Sequence, residues 1–396
     1  MIRKKNITGY LLGTILCSLF LLSGCLSEKM DTHNAMILIE VVPPLKQDFN
    51  MENITVRLQH TQQPVSYTAV TDKNGIARFE VEYGFYQAQA QYKYQLGYKT
   101  LYINASSSSF VVNSRKEQFI KMNSVYPKSE QLVFKEIYYS SCKGATGSNY
   151  LRDQYVIIYN NSPETAYLDS VCIGFLDPMN APSSPKGWEG LPYLPVFNFA
   201  WMFPGTGTDY PLQPGEEVVV SVNGINHVAL GNTNSVDLSK PGYWAMYDIK
   251  ANLTNQSVPA PGVSCMQNIW KYVGSSCSFS SVSPAWVMWK IKDIPFDEFL
   301  DTYIRKHPVN NSNTRYLTIP VEWIYDGVEC FLKPGYVKRL PPSVDNGYSV
   351  LQEGAGSGMS VHRVIDERLS TPKRTVYLDS NDSSQDFIKQ KPSLKE

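Results

Sequence analysis

The sequence is poor in charge and has no surplus of either sign: 18% of its 396 residues are charged, and 36 basic residues stand against 36 acidic ones. A protein that tracks a phosphate backbone needs a basic excess, so nucleic acid is excluded as an expected partner. No Cys-x-x-Cys pair and no zinc-like Cys/His spacing occurs, which removes the usual metal and dithiol motifs. Also missing are a Gly-x-Ser-x-Gly elbow, a His-Glu-x-x-His helix, a phosphate-binding glycine loop and a dinucleotide fingerprint; the chemistries that depend on them have no recognisable carrier. The uncharged apolar run Tyr10 to Leu22 is about half the ~20 residues a membrane-spanning helix requires.

What is present points to a folded, β-rich chain. Aromatic residues make up 12% of the sequence, with 26 tyrosines, 25 glycines and 25 prolines, a mixture of strand and turn formers. The amino terminus carries Arg3, Lys4 and Lys5 ahead of the apolar run, the arrangement of an export signal. It ends in Leu22-Ser23-Gly24-Cys25, which resembles the bacterial lipoprotein box, where cleavage precedes an acylated cysteine. Cys25 is thus the expected lipidation site, tethering the chain without spanning the membrane. Loss of the three cations leaves 33 basic against 36 acidic residues, a net charge of −3. Leu26, not aspartate, follows the cysteine, and Ser27-Glu28-Lys29-Met30-Asp31 resembles a loose version of the acidic tag of Bacteroides-type surface lipoproteins. That resemblance implies an outer-membrane, lipid-anchored protein facing the extracellular side. A solvated linker of the same composition is the alternative.

Two β-rich units follow. Residues 35–123 alternate with a period of two, as in Met36-Ile37-Leu38-Ile39 and Ile54-Thr55-Val56-Arg57-Leu58, the pattern of half-buried strands. Asp72-Lys73-Asn74-Gly75 reads as the tight turn of a hairpin; as a calcium loop it lacks the remaining carboxylates and the closing glutamate. The second unit opens with Leu132-Val133-Phe134-Lys135-Glu136-Ile137-Tyr138, Tyr155-Val156-Ile157-Ile158-Tyr159 and Tyr167-Leu168-Asp169. Leu212-Gln213-Pro214-Gly215 then supplies a turn before another strand. Within this unit 293–305 is the one amphipathic helix, with Phe296, Phe299, Leu300 and Ile304 at helical spacing.

The first unit resembles the prealbumin-like or Cna-B-like sandwich of bacterial surface proteins. The second, through its strand succession and its closing Tyr377-Leu378-Asp379-Ser380-Asn381-Asp382-Ser383-Ser384-Gln385-Asp386-Phe387, resembles a lamin-tail-like, immunoglobulin-like domain found in Bacteroides-type surface lipoproteins of unknown function. The resemblance implies a mainly β protein of two β-sandwich domains. Residues 1–24 form the lipoprotein signal peptide, 25–34 a linker, 35–123 the prealbumin-like module and 124–130 a second linker. Residues 131–396 are the lamin-tail-like sandwich, with a long insertion at about 178–343.

Candidate site residues lie mostly in that insertion. Trp188, Tyr193, Phe197, Phe199, Trp201, Phe203 and Tyr210 fall among glycines and prolines with almost no charge. Rings on a stiffened loop suit contact with a ligand or partner, or else a local core. His227 is the best single polar candidate, set against a loop-ordering role. Glu322 and Asp326 bracket Trp323-Ile324-Tyr325 as an imitation of a glycosidase pair or as solvent-facing charges. Cys265 and Cys277 lie close enough in a Gly/Ser-rich stretch to form a disulfide.

The function expected is non-enzymatic, without cofactor or metal: a surface lipoprotein acting as accessory or ligand-capture partner of a TonB-dependent transporter for a nutrient or metal chelate. A structural or adhesive surface protein is the alternative, and a surface glycan hydrolase the third. Replacing Cys25 by Ala is expected to abolish membrane partition of the exported chain. Fractionation of cells expressing wild type and variant checks this, and equal partition of both rejects the lipoprotein reading.

Overall fold

The computed structural model describes residues 34–44, 49–96, 99–125, 130–182, 186–292, 294–310 and 313–395. Cys25 and the whole signal segment lie outside them. The described chain is mainly β, as its alternation predicts, and is built around separate hydrophobic cores in residues 35–122 and 132–387.

In the first unit the strands run, in spatial order, Ser66–Val70, Thr55–His60, Gly84–Leu96, Lys99–Ser106, Gln118–Val125, Asn34–Val42 and Ile76–Glu82, with Phe110–Val112 on Gly84–Leu96. Asn34–Val42 and Gln118–Val125 pair in parallel, while the other ladders are antiparallel. Ile37, Ile39 and Val41 point inward with Val56, Leu58, Phe79 and Val81, each burial contributing roughly 1.5–3 kcal/mol. The Asn-Gly turn does not make a hairpin. Ser66–Val70 and Ile76–Glu82 sit at opposite ends of the strand order, so the turn carries the chain from one edge to the other. Asp72 Oδ1 accepts the N–H groups of Asn74 (2.9 Å) and Ile76 (3.1 Å), a local closure that needs no partner strand. Gly75 is required twice over. Its φ is +77°, and a Cβ there would stand 2.9 Å from the Val41 carbonyl oxygen.

The second unit is two sheets packed face to face. One sheet orders Ser264–Cys265, Trp244–Ala245, Glu217–Ser221, Tyr155–Asn160, Leu132–Tyr138, Ser360–Arg363 and Phe387–Gln390. The other orders Ile304–Lys306, Arg315–Pro320, Tyr193–Met202, Val171–Leu176, Ala285–Lys290, Ile324–Phe331 and Ser349–Val350, with Gln267–Lys271 on Tyr193–Met202. Phe134, Val156, Ile158 and Val220 of the first meet Ile173, Phe175, Trp201 and Trp286 of the second. Both outer faces are covered as well. Tyr155 and Ile157 lie under Val236 and Leu238, and Leu194 and Leu317 lie under Phe299 of the helix Phe296–Tyr303. Residues 178–343 are therefore no side lobe: they supply most of one sheet and the centre of the sandwich. What separates the early strands from Ser360–Arg363 in sequence is the sandwich itself.

Buried ionic groups bind this unit together. Arg363 is 4% exposed and donates from Nε to the Phe134 carbonyl (2.8 Å), from Nη1 to the Leu378 carbonyl (3.1 Å) and Asp379 (3.2 Å), and from Nη2 to Asp326 (2.5 Å). Asp326 Oδ2 also accepts the Phe134 N–H at 2.6 Å, joining the two sheets through one carboxylate. Asp386 lies 3.6 Å from the guanidinium. Burial would lower the Arg363 pKa, but Asp326, Asp379 and Asp386 outweigh it and hold the group charged. Nearby, Glu329 and Arg339 form a second buried pair (2.7 Å), and Asp345 accepts the N–H groups of Glu329 (2.8 Å), Gly347 (3.0 Å) and Ser383 (2.8 Å).

The same region reaches into the first unit. Asn104 Nδ2 donates to the carbonyls of Ser380 (3.1 Å) and Asn381 (3.0 Å), Asn346 Nδ2 donates to the Ala90 carbonyl (3.0 Å), and Tyr348 donates to Gln59. Removing one partner of a buried ionic cluster costs about 3–5 kcal/mol because the remaining charges stay desolvated. Arg363→Ala is therefore expected to lose that much stability, read as a lowered urea midpoint. A midpoint within error of wild type would show that the cluster contributes nothing.

Candidate functional site

A cleft opens where the hairpin Ile304–Lys306/Arg315–Pro320, the start of the strand Tyr193–Met202 and the closing segment of the chain converge. It has a volume of about 580 Å³ and is walled by Tyr193, Tyr303, Tyr325, Arg305, Glu322 and Asn381, over a floor that includes Ile324 and Val344. That volume falls in the ~300–1,000 Å³ range of small-ligand sites. The Arg305 guanidinium carbon sits 4.6 Å from the Tyr193 ring centre and 5.5 Å from that of Tyr303. Lys292 lies over Tyr325 at 5.0 Å. The cleft is thus a set of flat phenol rings around a cation, with carboxylate, amide and hydroxyl groups at its edge.

Its placement follows from local sequence. Pro295 opens the short helix, which ends at Tyr303. The chain then turns straight into Ile304–Lys306, so Tyr303 and Arg305, two residues apart, reach the same cleft. Val321–Trp323 forms a single 3-10 turn that holds Trp323 in the core against Phe299 and leaves Glu322 exposed at the rim.

The expected aromatic contact loop is different in kind. Phe197, Phe199 and Trp201 belong to the strand Tyr193–Met202, in the middle of a sheet. Phe199, Trp201 and Phe203 are buried in the inter-sheet core, while Phe197 packs against Phe175 (5.6 Å) and Tyr210 meets the edge of Trp244 (5.0 Å). Asp169 accepts the N–H groups of Gly207, Asp209 and Tyr210 (each 2.9 Å) and fixes the connection that follows. The spacing of two from Phe197 to Phe203 is a strand period, and it was the signal that these rings face a core. Of the seven, only Trp188 and Tyr193 line cavities. Trp188 contacts His307 and Tyr316 at 5.4 Å each and borders a second cavity of about 540 Å³, shared with Ser106–Ser109 of the first unit.

The other sequence candidates also resolve into structure. His227 is fully buried, with Nδ1 2.8 Å from the Tyr150 hydroxyl and Nε2 3.2 Å from the Asn223 carbonyl. It orders its loop and does not reach either cleft. Asp326 is buried on Arg363 whereas Glu322 is exposed, so the two carboxylates do not face one substrate. Cys265 is exposed and Cys277 lies in the inter-sheet core; both are free thiols, and burial pushes the Cys277 thiol up to about 12. Sequence spacing missed one grouping: His362 Nε2 lies 2.6 Å from Ser360 Oγ and 3.5 Å from Glu136. Both partners meet the same nitrogen and Ser360 is fully buried, so no proton can pass from serine through the ring to the carboxylate. Among the described residues no group of His, Cys, Asp and Glu is arranged to hold a metal ion.

Residues 213–393 match the family model DUF4876, described as a protein of unknown function. This DUF4876 region contains Arg305, Tyr303, Glu322, Tyr325 and the ionic cluster around Arg363, and leaves Tyr193 outside it. A DUF4876 family protein from Bacteroides thetaiotaomicron is similar over 89% of this chain and 94% of its own, at 23% identity and a TM-score of 0.56; this shows the fold. A DUF3823 family protein from Parabacteroides merdae is 10% identical over 37% of this chain and 67% of its own, with a TM-score of 0.18. The full-length major pilin SpaD from Corynebacterium diphtheriae gives 10%, 37%, 41% and 0.18 in the same terms. Neither of these two carries an argument. No curated protein matches the sequence.

His227 gives the site's surroundings a pH dependence. Burial pushes its pKa down from 6.5 to about 4, opposed by the Asn223 carbonyl. Between those values the unfolded chain binds a proton that the folded chain refuses, so the stability tied to His227 is complete above about 6.5 and falls as pH drops toward 4. The loss is on the order of 3 kcal/mol. Buried Asp345, raised to about 6 by desolvation, acts in the opposite sense across the same range. The measurement is therefore a difference. Urea midpoints at about pH 7 and pH 4.5 should converge for His227→Gln relative to wild type, and identical pH slopes would refute the assignment.

Proposed function

We propose that the protein is a lipid-anchored, non-enzymatic ligand-capture protein of the outer membrane, serving a TonB-dependent transporter for a nutrient or metal chelate. Its two sandwiches are, on this reading, a prealbumin-like spacer and a lamin-tail-like binding module. The observation that carries the proposal is the tyrosine-lined cleft: a preformed concavity with a few convergent polar groups is what ligand capture requires. The basic-then-apolar amino terminus ending at Cys25 supports the anchor, and the balanced charge fits a ligand other than nucleic acid.

The fastening between the units supports the same reading. Asn381 lines the cleft while its carbonyl accepts Asn104 of the first unit, so the capture site is held in fixed relation to the module nearest the anchor. A tethered protein that passes a ligand onward benefits from such a fixed geometry, because less freedom is lost on docking.

Tagged full-length protein purified from gently solubilised outer membranes is expected to bring a TonB-dependent transporter with it, identified by mass spectrometry. Recovery of the tagged chain alone would overturn the transporter partnership and favour the structural or adhesive role.

A further inference from the structure

Arg305 differs from the protein's buried arginines in having nothing to bind. Its Nε is buried yet has no hydrogen-bond partner, and among the described residues no carboxylate or carbonyl engages the guanidinium. What holds it are two phenol faces, Tyr193 and Tyr303, at 4.6 Å and 5.5 Å. Cation–π contact of this kind orients a guanidinium without using its N–H donors. The result is a pre-aimed fork at the wall of a 580 Å³ cleft. A planar fork pairs best with a carboxylate, through two parallel hydrogen bonds.

The rest of the lining restricts what carries that carboxylate. Tyr325 adds a third ring, and Ser343, Asn381 and Glu322 add hydroxyl, amide and carboxylate groups, the types that meet sugar hydroxyls and the flat face of a pyranose. Glu322 also opposes compact polyanions, because a ligand with several carboxylates would bring like charges against it. A ring with one carboxylate and several hydroxyls satisfies both conditions.

We propose that the cleft binds a carboxylate-bearing saccharide, with Arg305 receiving the carboxylate and Tyr193 and Tyr303 setting its orientation. This rests on the ligand-capture reading and names the ligand class for it. Arg305 lies on the strand Ile304–Lys306, paired with Arg315–Pro320, so Lys306 and Arg315 place further cations along the same hairpin. They raise the local concentration of an anionic chain.

The test is calorimetric titration of the full chain with trigalacturonate, a hyaluronan tetrasaccharide and sialyllactose, set against neutral galactotriose, lactose and ferric citrate. At least one acidic sugar should bind, its neutral counterpart should bind much more weakly, and Arg305→Gln should reduce affinity between about tenfold and a hundredfold. Arg305→Lys, which keeps the charge and loses the fork, should fall between. Urea midpoints of the variants should stay at the wild-type value, since Arg305 makes no internal hydrogen bond. Equal binding of acidic and neutral sugars, binding of ferric citrate alone, insensitivity to Arg305→Gln, or no binding of any probe would each overturn the proposal. Failure here with the transporter still recovered from membranes would leave the capture reading standing and remove only the acidic sugar.

Discussion

The guanidinium of Arg363 stands where water does not reach, and removing it from water costs several kcal/mol before any partner is counted. Three carboxylates and two carbonyls meet that cost, and they come from separate parts of the chain: Asp326 from one sheet, Phe134 from the other, Leu378, Asp379 and Asp386 from the closing segment. The cluster forms only when all of these are in place. Burial also drives the Asp386 carboxyl upward against the pull of Arg363, while Ser380 donates its hydroxyl (2.6 Å) and its N–H (3.0 Å) to it. A mispaired sheet would leave at least one of these charges buried and alone. The cluster therefore selects the native arrangement more than it adds to its stability.

From this anchor the rest of the molecule can be followed outward. The segment that supplies Asp379 and Asp386 also presents Ser380 and Asn381 to Asn104, a buried residue of the first unit. Asp345, one turn away in space through Ser383, holds Gly347 and Glu329, and Glu329 in turn holds Arg339. The cleft lies against this chain of buried bonds, with Val344 and Asn381 in its wall. Side chains there are set by groups that cannot relax independently, so the cavity is preformed and a ligand need not order it.

Much of the fold is legible in the residues. Alternation in Asn34–Val42 and Ile76–Glu82 places one face in a core, and the helix Phe296–Tyr303 appears where apolar residues recur at helical spacing. Strands buried on both faces are harder to read. In Tyr155–Asn160 and Ala285–Lys290 nearly every residue is apolar, so period gives no face. The run Phe197 to Phe203 misleads for a related reason: a high density of rings near proline and glycine suggests a contact surface, and only its spacing of two reveals a central strand. The Asn-Gly turn errs differently. Its local chemistry is legible, since Asp72 closes it, but which strands it joins depends on pairings far away in sequence. The cleft was least legible of all. Tyr193, Tyr303 and Tyr325 are each ordinary strand or helix residues, and only the register Ile304↔Leu317 and Tyr193↔Pro320 brings them to one wall.

That register also explains why Arg305 stands apart. An arginine has five donors, and the protein uses those of its buried arginines fully: Arg339 reaches Glu329, Pro178, Met179 and Ser283, and Arg363 reaches Phe134, Leu378, Asp379 and Asp326. Both are held by acceptors whose positions are fixed by sheet and closing segment. Arg305 sits on a short edge strand, where Ile304–Lys306 has a neighbour on one side only, and no acceptor is brought to it. Were it a fully solvated surface charge this would need no account, because water would supply the acceptors. Its Nε is out of reach of water, and two aromatic rings limit where the fork can turn. A buried donor left without a partner costs about 1–3 kcal/mol. In a molecule that satisfies its other two buried guanidinium groups, that unmet donor marks the one place where the fold supplies the cation and leaves the anion to come from outside.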